Sequence, residues 1–92
     1  MPQLSASDLA AAMKSLSGWA SANNEISKTF KFGNFVEAVA FVNRLADLAE
    51  RAGHHPDIDI RYNRVRIALT THDEGGVTEK DTQLAGEIDR VA

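Results

Sequence analysis

Residues Asp57–Thr71 read DIDIRYNRVRIALTT, and the reading of this stretch decides the fold. Ile58, Ile60 and Tyr62 alternate with Asp59 and Arg61, and the alternation resumes with Val65, Ile67 and Leu69. A period of two is that of a strand with one face buried. With Asn63 and Arg64 as a two-residue turn, the stretch is a hairpin. Tyr62 then faces Val65, Ile60 faces Ile67 and Ile58 faces Leu69. Every apolar side chain meets an apolar partner, which is what sets register in a half-buried sheet. The cost is Arg61 opposite Arg66, with Asp59 on the diagonal to offset it.

Outward from the hairpin the chain is rich in histidine. Continuing the ladder sets Pro56 opposite Thr71 and His55 opposite His72. His54, His55 and His72 are the only imidazoles of the chain, and all three gather at the open end of this hairpin. Proline cannot donate to the ladder, so regular pairing is expected to stop near Pro56.

A helix delivers the paired histidines. Asn34 is a good N-cap, Glu37 can complete a capping pair, and Gly53 supplies the C-cap. Between them Phe35, Ala38, Val39, Val42, Leu45, Ala46 and Ala49 form a broad apolar face, and Phe41, Leu45 and Leu48 a second stripe. The second stripe is expected to exceed what one small domain buries, and surplus apolar surface marks an interface. A wide core-facing stripe is the alternative.

The remaining elements follow the same signals. Ser5 with Asp8 opens a first helix carrying Leu9, Ala12, Met13 and Leu16, and Gly18 ends it. Trp19 begins a short extended piece, and Asn23-Asn24 suits a turn. Ile26, Lys28, Phe30 and Phe32 alternate in a second strand, where Lys28 is expected near a strand end or an edge. Thr78 with Asp81 caps a last helix, whose apolar face is Leu84, Ala85, Ile88 and Val91. The order is helix-strand-strand-helix-strand-strand-helix. It predicts an α+β single domain over residues 1–92, a four-stranded antiparallel sheet covered on one face by three helices.

Composition bounds the function. A net charge of −3 argues against a general nucleic-acid binder, although Arg61, Arg64 and Arg66 crowd one turn. The absence of cysteine removes disulfides, thiolate catalysis and cysteine-type zinc sites. No apolar run approaches membrane-spanning length, and the start does not resemble a signal peptide. A soluble, cytoplasmic protein is expected.

Three imidazoles at one corner admit two chemistries. They can hold catalytic zinc. Adjacent residues on an extended chain point to opposite faces, however, so His54 and His55 are poorly placed to share one ion. Acid–base chemistry suits them better, because an ordinary imidazole titrates near neutrality, at about 6.5. Two or three around a small heterocycle could protonate a leaving group and remove another proton. A lone histidine, by contrast, is more often structural or merely exposed.

At these residues the sequence resembles the pterin-4a-carbinolamine dehydratase family. The pattern is Glu50, three residues, His54-His55-Pro56, five residues, Tyr62, nine residues, His72, eight residues, Asp81. The resemblance covers nearly the whole chain, most clearly from Trp19 onward. It implies removal of water from 4a-hydroxytetrahydropterin to give quinonoid dihydropterin, with no metal or organic cofactor. It implies that His54, His55 and His72 are catalytic. One would protonate the departing hydroxyl and another would take the N5 proton. Glu50, at the pocket edge, with Gly53, Pro56, Thr70, Thr71 and Asp73, would form the substrate-binding set. Asp81 completes the signature and reads mainly as a helix cap. Gly53 stands where many members carry a polar residue, and Ile58 and Asp59 where many carry aromatics. The family's dimers and tetramers imply a homodimer or homotetramer here. A mammalian relative also stabilises a transcription-factor dimer, so a non-catalytic binding or dimerisation module is the alternative.

Overall fold

In a computed structural model, which describes residues 2–92, the expected order is realised. The elements are α1 (Ala6–Met13), β1 (Ala20–Ala22), β2 (Glu25–Lys31), α2 (Phe35–Ala52), β3 (Asp57–Arg61), β4 (Arg64–Leu69) and α3 (Glu79–Val91). A short 3₁₀ turn, His72–Glu74, is added between β4 and α3. All strands pair antiparallel, in the order β1-β2-β4-β3. The fold is therefore α+β, with a four-stranded sheet flanked by three helices.

Local chemistry explains the element ends. Asn23 and Asn24 both take positive φ, 55° and 63°, and close the β1–β2 hairpin. Asparagine tolerates that region because its short side chain bonds locally. The Asn34 side chain accepts from the Glu37 N–H, and the Ser5 hydroxyl from the Asp8 N–H. The reciprocal pair expected at all three helices is two-sided at α3, between Thr78 and Asp81. α1 is shorter than expected. It stops at Met13, and tight turns then carry Leu16 and Trp19 into the core.

The hairpin register differs from the sequence expectation by two residues. Ile58 faces Ile67, Ile60 faces Val65 and Arg61 faces Arg64, so Tyr62 and Asn63 form the turn. Tyr62 takes a positive φ of 51° there. A slip of two keeps every side chain on its own face, so apolar still meets apolar. It also sets Asp59 directly opposite Arg66 in place of the expected Arg61–Arg66 clash. Arg61 pairs instead with Asp59 at 3.0 Å, and that carboxylate raises the guanidinium's pKa, by hydrogen bond first and charge second.

Two further expectations are corrected by packing. Lys28 sits mid-strand opposite Ile67, on the helix-facing side of β2. Its ammonium is satisfied there by Asp89 of α3 and the Ser17 carbonyl, each at 2.9 Å, and lies over the Phe30 ring. Phe41 is completely buried, with ring centroids 4.8 Å from Phe30 and 5.0 Å from Phe32. The second stripe of α2 therefore packs inside the chain, Leu48 included. The large apolar residues left outward on α2 are Phe35 and Val36, and Ile58 and Ile60 of β3 with Tyr62 of the turn are exposed as well.

Candidate active site

The C-terminus of α2 sets the first two histidines. Gly53 is left-handed, at φ 62°, which glycine adopts without a Cβ clash. The Gly53 N–H donates to the Glu50 carbonyl and the His54 N–H to the Ala49 carbonyl. This pair of bonds satisfies the last carbonyls of the helix and turns the chain sharply. His54 is thereby bonded to α2 through its backbone while its ring is turned toward α3.

The third histidine arrives from β4. Thr71 and Gly76 bridge, closing a small loop that contains the 3₁₀ turn opening at His72. Thr70 is tied to the β1–β2 turn, its hydroxyl donating to the Asn24 carbonyl at 2.7 Å.

These segments surround a cavity of ≈ 300 Å³ lined by Gly53, His54, His55, Thr70, Thr71, His72, Asp73 and Lys80. All three histidines thus border one space, although the register that suggested it is shifted. Regular pairing stops at Asp57, and His55 and His72 are not ladder partners. Glu50 does not line the cavity, but its carboxylate meets His55 Nε2 at 2.5 Å, with both side chains exposed. Pro56 does not line it either. A second cavity of ≈ 260 Å³ shares His54 and Lys80 with the first.

Asp81 does more than cap. It has no exposed surface and lies 2.5 Å from His54 Nε2 through Oδ1. Its Oδ2 accepts from the Thr71 hydroxyl at 2.8 Å and from the Thr78 N–H at 2.9 Å. Sequence reasoning read Thr78 and Asp81 mainly as a cap and passed over Lys80. The cap pattern was visible, but the approach of His54 to the same carboxylate is a tertiary contact with no local signal. Among the described residues no cluster of His, Cys, Asp and Glu has the arrangement of a metal site.

The fold and the pocket define a small α+β protein with three imidazoles around one open cavity and a buried carboxylate behind one of them. The family model for pterin 4 alpha carbinolamine dehydratase matches residues 2–91, and the chain belongs to that family. A Chloroflexus aurantiacus protein with the provisional name pterin-4-alpha-carbinolamine dehydratase is 58% identical over 91 residues, 99% of this chain and 98% of that one. The crystal structure of a transcriptional coactivator/pterin dehydratase from Brucella melitensis superposes with a TM-score of 0.95 at 37% identity, covering 98% of each chain. A pterin dehydratase-like protein described as a RuBisCO assembly factor in the alpha-carboxysome aligns with a TM-score of 0.68 at 28% identity, over 80% of this chain and 86% of that one. At the level of the family, the reaction is a pterin dehydration, a carbon–oxygen lyase chemistry.

Proposed function

We propose that this chain removes water from a 4a-hydroxytetrahydropterin to give quinonoid dihydropterin, in pterin recycling after aromatic amino acid hydroxylation. The C4a–O bond breaks as an imidazolium protonates the departing hydroxyl. The N5 proton passes to a second imidazole, and the electron pair of the N5–H bond forms the C4a=N5 double bond. Water leaves, and proton exchange with solvent restores the imidazolium and the neutral imidazole for the next turnover. No oxidant or reductant is needed, because the step is a net elimination.

The observation that carries this reading is the convergence of His54, His55 and His72 on one cavity. Histidine is the side chain that both gives and takes protons near neutrality without large tuning. Gly53, Thr70, Thr71 and Asp73 line the same space and would hold the pterin ring. Glu50 would act through His55, and Pro56 by ending the strand pairing. No metal or organic cofactor has a step in this chemistry. Residues 1–92 act as one dehydratase-like unit, a homodimer or homotetramer in the cytoplasm, with no direct nucleic-acid or membrane partner. No described helix is long and apolar enough to cross a membrane.

The test is to feed the protein a 4a-hydroxytetrahydropterin generated in situ by a hydroxylase and to follow quinonoid dihydropterin by absorbance. Acceleration over the spontaneous rate is expected. A rate equal to the spontaneous one would leave the second reading, a binding or dimerisation module on the same fold. That reading is favoured by the assembly-factor description of one structural relative. A module of that kind has no use for three imidazoles around a cavity.

A further inference from the structure

The hydrogen bonds around Asp81 have only one consistent direction. A backbone N–H can only donate, so Oδ2 is an acceptor toward Thr78. The Thr78 hydroxyl oxygen accepts from the Lys80 N–H at 3.2 Å, and it lies 2.9 Å from the Thr71 hydroxyl oxygen. Each hydroxyl has one proton to give. The Thr71 proton goes to Asp81 Oδ2, so the Thr78 proton goes to Thr71. The chain therefore runs one way, from the Lys80 N–H through Thr78 and Thr71 into the carboxylate. What remains is Oδ1 against His54 Nε2. A carboxylate can only accept, so the hydrogen between Oδ1 and Nε2 is carried by the ring. His54 Nδ1 has no protein partner, yet no buried side-chain nitrogen or oxygen among the described residues lacks one. Nδ1 is consequently accessible, on a ring that borders the cavity.

We propose that the Thr78–Thr71–Asp81 chain locks His54 as the tautomer protonated at Nε2, so that Nδ1 is the only ring nitrogen of His54 that can exchange a proton with a bound substrate. Asp81 is then a positioning residue. It touches no substrate and sets which atom of His54 does. This rests on the dehydratase reading only for the identity of the substrate; the tautomer is a property of the chain itself.

The Asp81→Asn variant makes the proposal sharp. An amide has one accepting and one donating end. The Thr78 N–H cannot reverse, so the amide oxygen must stay at the Oδ2 position. The NH₂ then faces His54 Nε2, which must become an acceptor, and the ring proton moves to Nδ1. The substitution inverts the tautomer while preserving shape.

Protein labelled with ¹⁵N in its imidazoles reports this directly, at a pH above the ring's titration. Wild-type protein is expected to show His54 protonated at Nε2 with Nδ1 bare. Asp81→Asn is expected to show the reverse, with His55 and His72 unchanged. Its kcat should fall by about 10²- to 10⁴-fold with little change in KM, as when a tautomer is wrong but binding survives. Thr78→Ser keeps both the N–H and the hydroxyl and should keep the wild-type pattern. A wild-type His54 protonated at Nδ1, or an Asp81→Asn ring still protonated at Nε2, overturns the proposal. If Asp81→Asn does not fold, the wild-type spectrum alone decides. If the expected tautomer is found but wild-type protein does not accelerate dehydration, the dehydratase reading fails and the lock stands.

Discussion

A carboxylate with no exposed surface is costly unless donors surround it, and Asp81 has three. The same side chain closes the first turn of α3 and holds His54, so stability and site geometry are joined at one residue. His54, delivered by α2, and His72, delivered by β4, should therefore behave differently. His54→Ala and His72→Ala are each expected to slow dehydration by about 10²- to 10⁴-fold, as loss of a general acid or base does. His54→Ala also strips Oδ1 of its partner and should cost about 1–3 kcal/mol of stability, because a buried acceptor is left unmet. His72 is exposed, and its loss should change stability by no more than about 0.5 kcal/mol. Urea denaturation beside the rate assay separates the two. Wild-type rates in both variants would remove the histidines from the chemistry. Dialysis against a strong chelator is expected to leave the rate unchanged. Loss of activity restored by zinc would show that the imidazoles hold a metal.

Among the elements, α2 and the β3–β4 hairpin show how packing redistributes what a pattern only marks as apolar. Phe41 fills the space between the helix and the Phe30 and Phe32 rings of the β2 segment. Phe41→Ala should cost about 3–5 kcal/mol, through lost burial plus the cavity left behind. A charged residue at the same position would unfold the chain and not merely separate subunits. Thermal unfolding monitored by circular dichroism checks the first value, and a loss under 1 kcal/mol would contradict the burial. Lys28 teaches the complementary lesson. A charge on an apolar strand face is tolerated in mid-strand when a carboxylate and a carbonyl are brought to it, here Asp89 and Ser17. Trp19 donates to the same Asp89 carboxylate at 3.1 Å, so one residue of α3 ties down two distant segments.

At the scale of the whole molecule, the strand order leaves β3 at an open edge beyond the helices. Its helix-side residues Ile58 and Ile60 remain 40% and 37% exposed, although their partners Ile67 and Val65 are fully buried. On α2, Phe35 is 50% and Val36 75% exposed. An open edge and an apolar helix face are surfaces that another chain covers. A closed homo-oligomer, a dimer at least, is expected at micromolar concentration. Sedimentation equilibrium should give a mass at least twice the 10.0 kDa of one chain. Val36→Glu should lower the assembly state where the helix face is used, and leave the cavity intact. A wild-type mass of one chain would mean that these residues simply meet water.

The sequence by itself determined the elements, their caps and the faces of the strands. Each of these is local: a capping oxygen meets an N–H within three residues, and alternation writes the buried face into the chain. It also placed three imidazoles within one segment, Gly53–Gly75, which made the corner legible before any coordinate. The tertiary structure alone decided the register of the hairpin, because a period-two pattern is unchanged by a slip of two residues. It alone decided that Phe41 is core and Phe35 is surface, since both satisfy a broad helical stripe and only neighbouring elements choose between them. The approach of Asp81 to His54, separated by 27 positions, was likewise beyond local pattern. A cap residue and a positioning carboxylate look identical in sequence, and only the packing of the end of α2 against the start of α3 makes one side chain both.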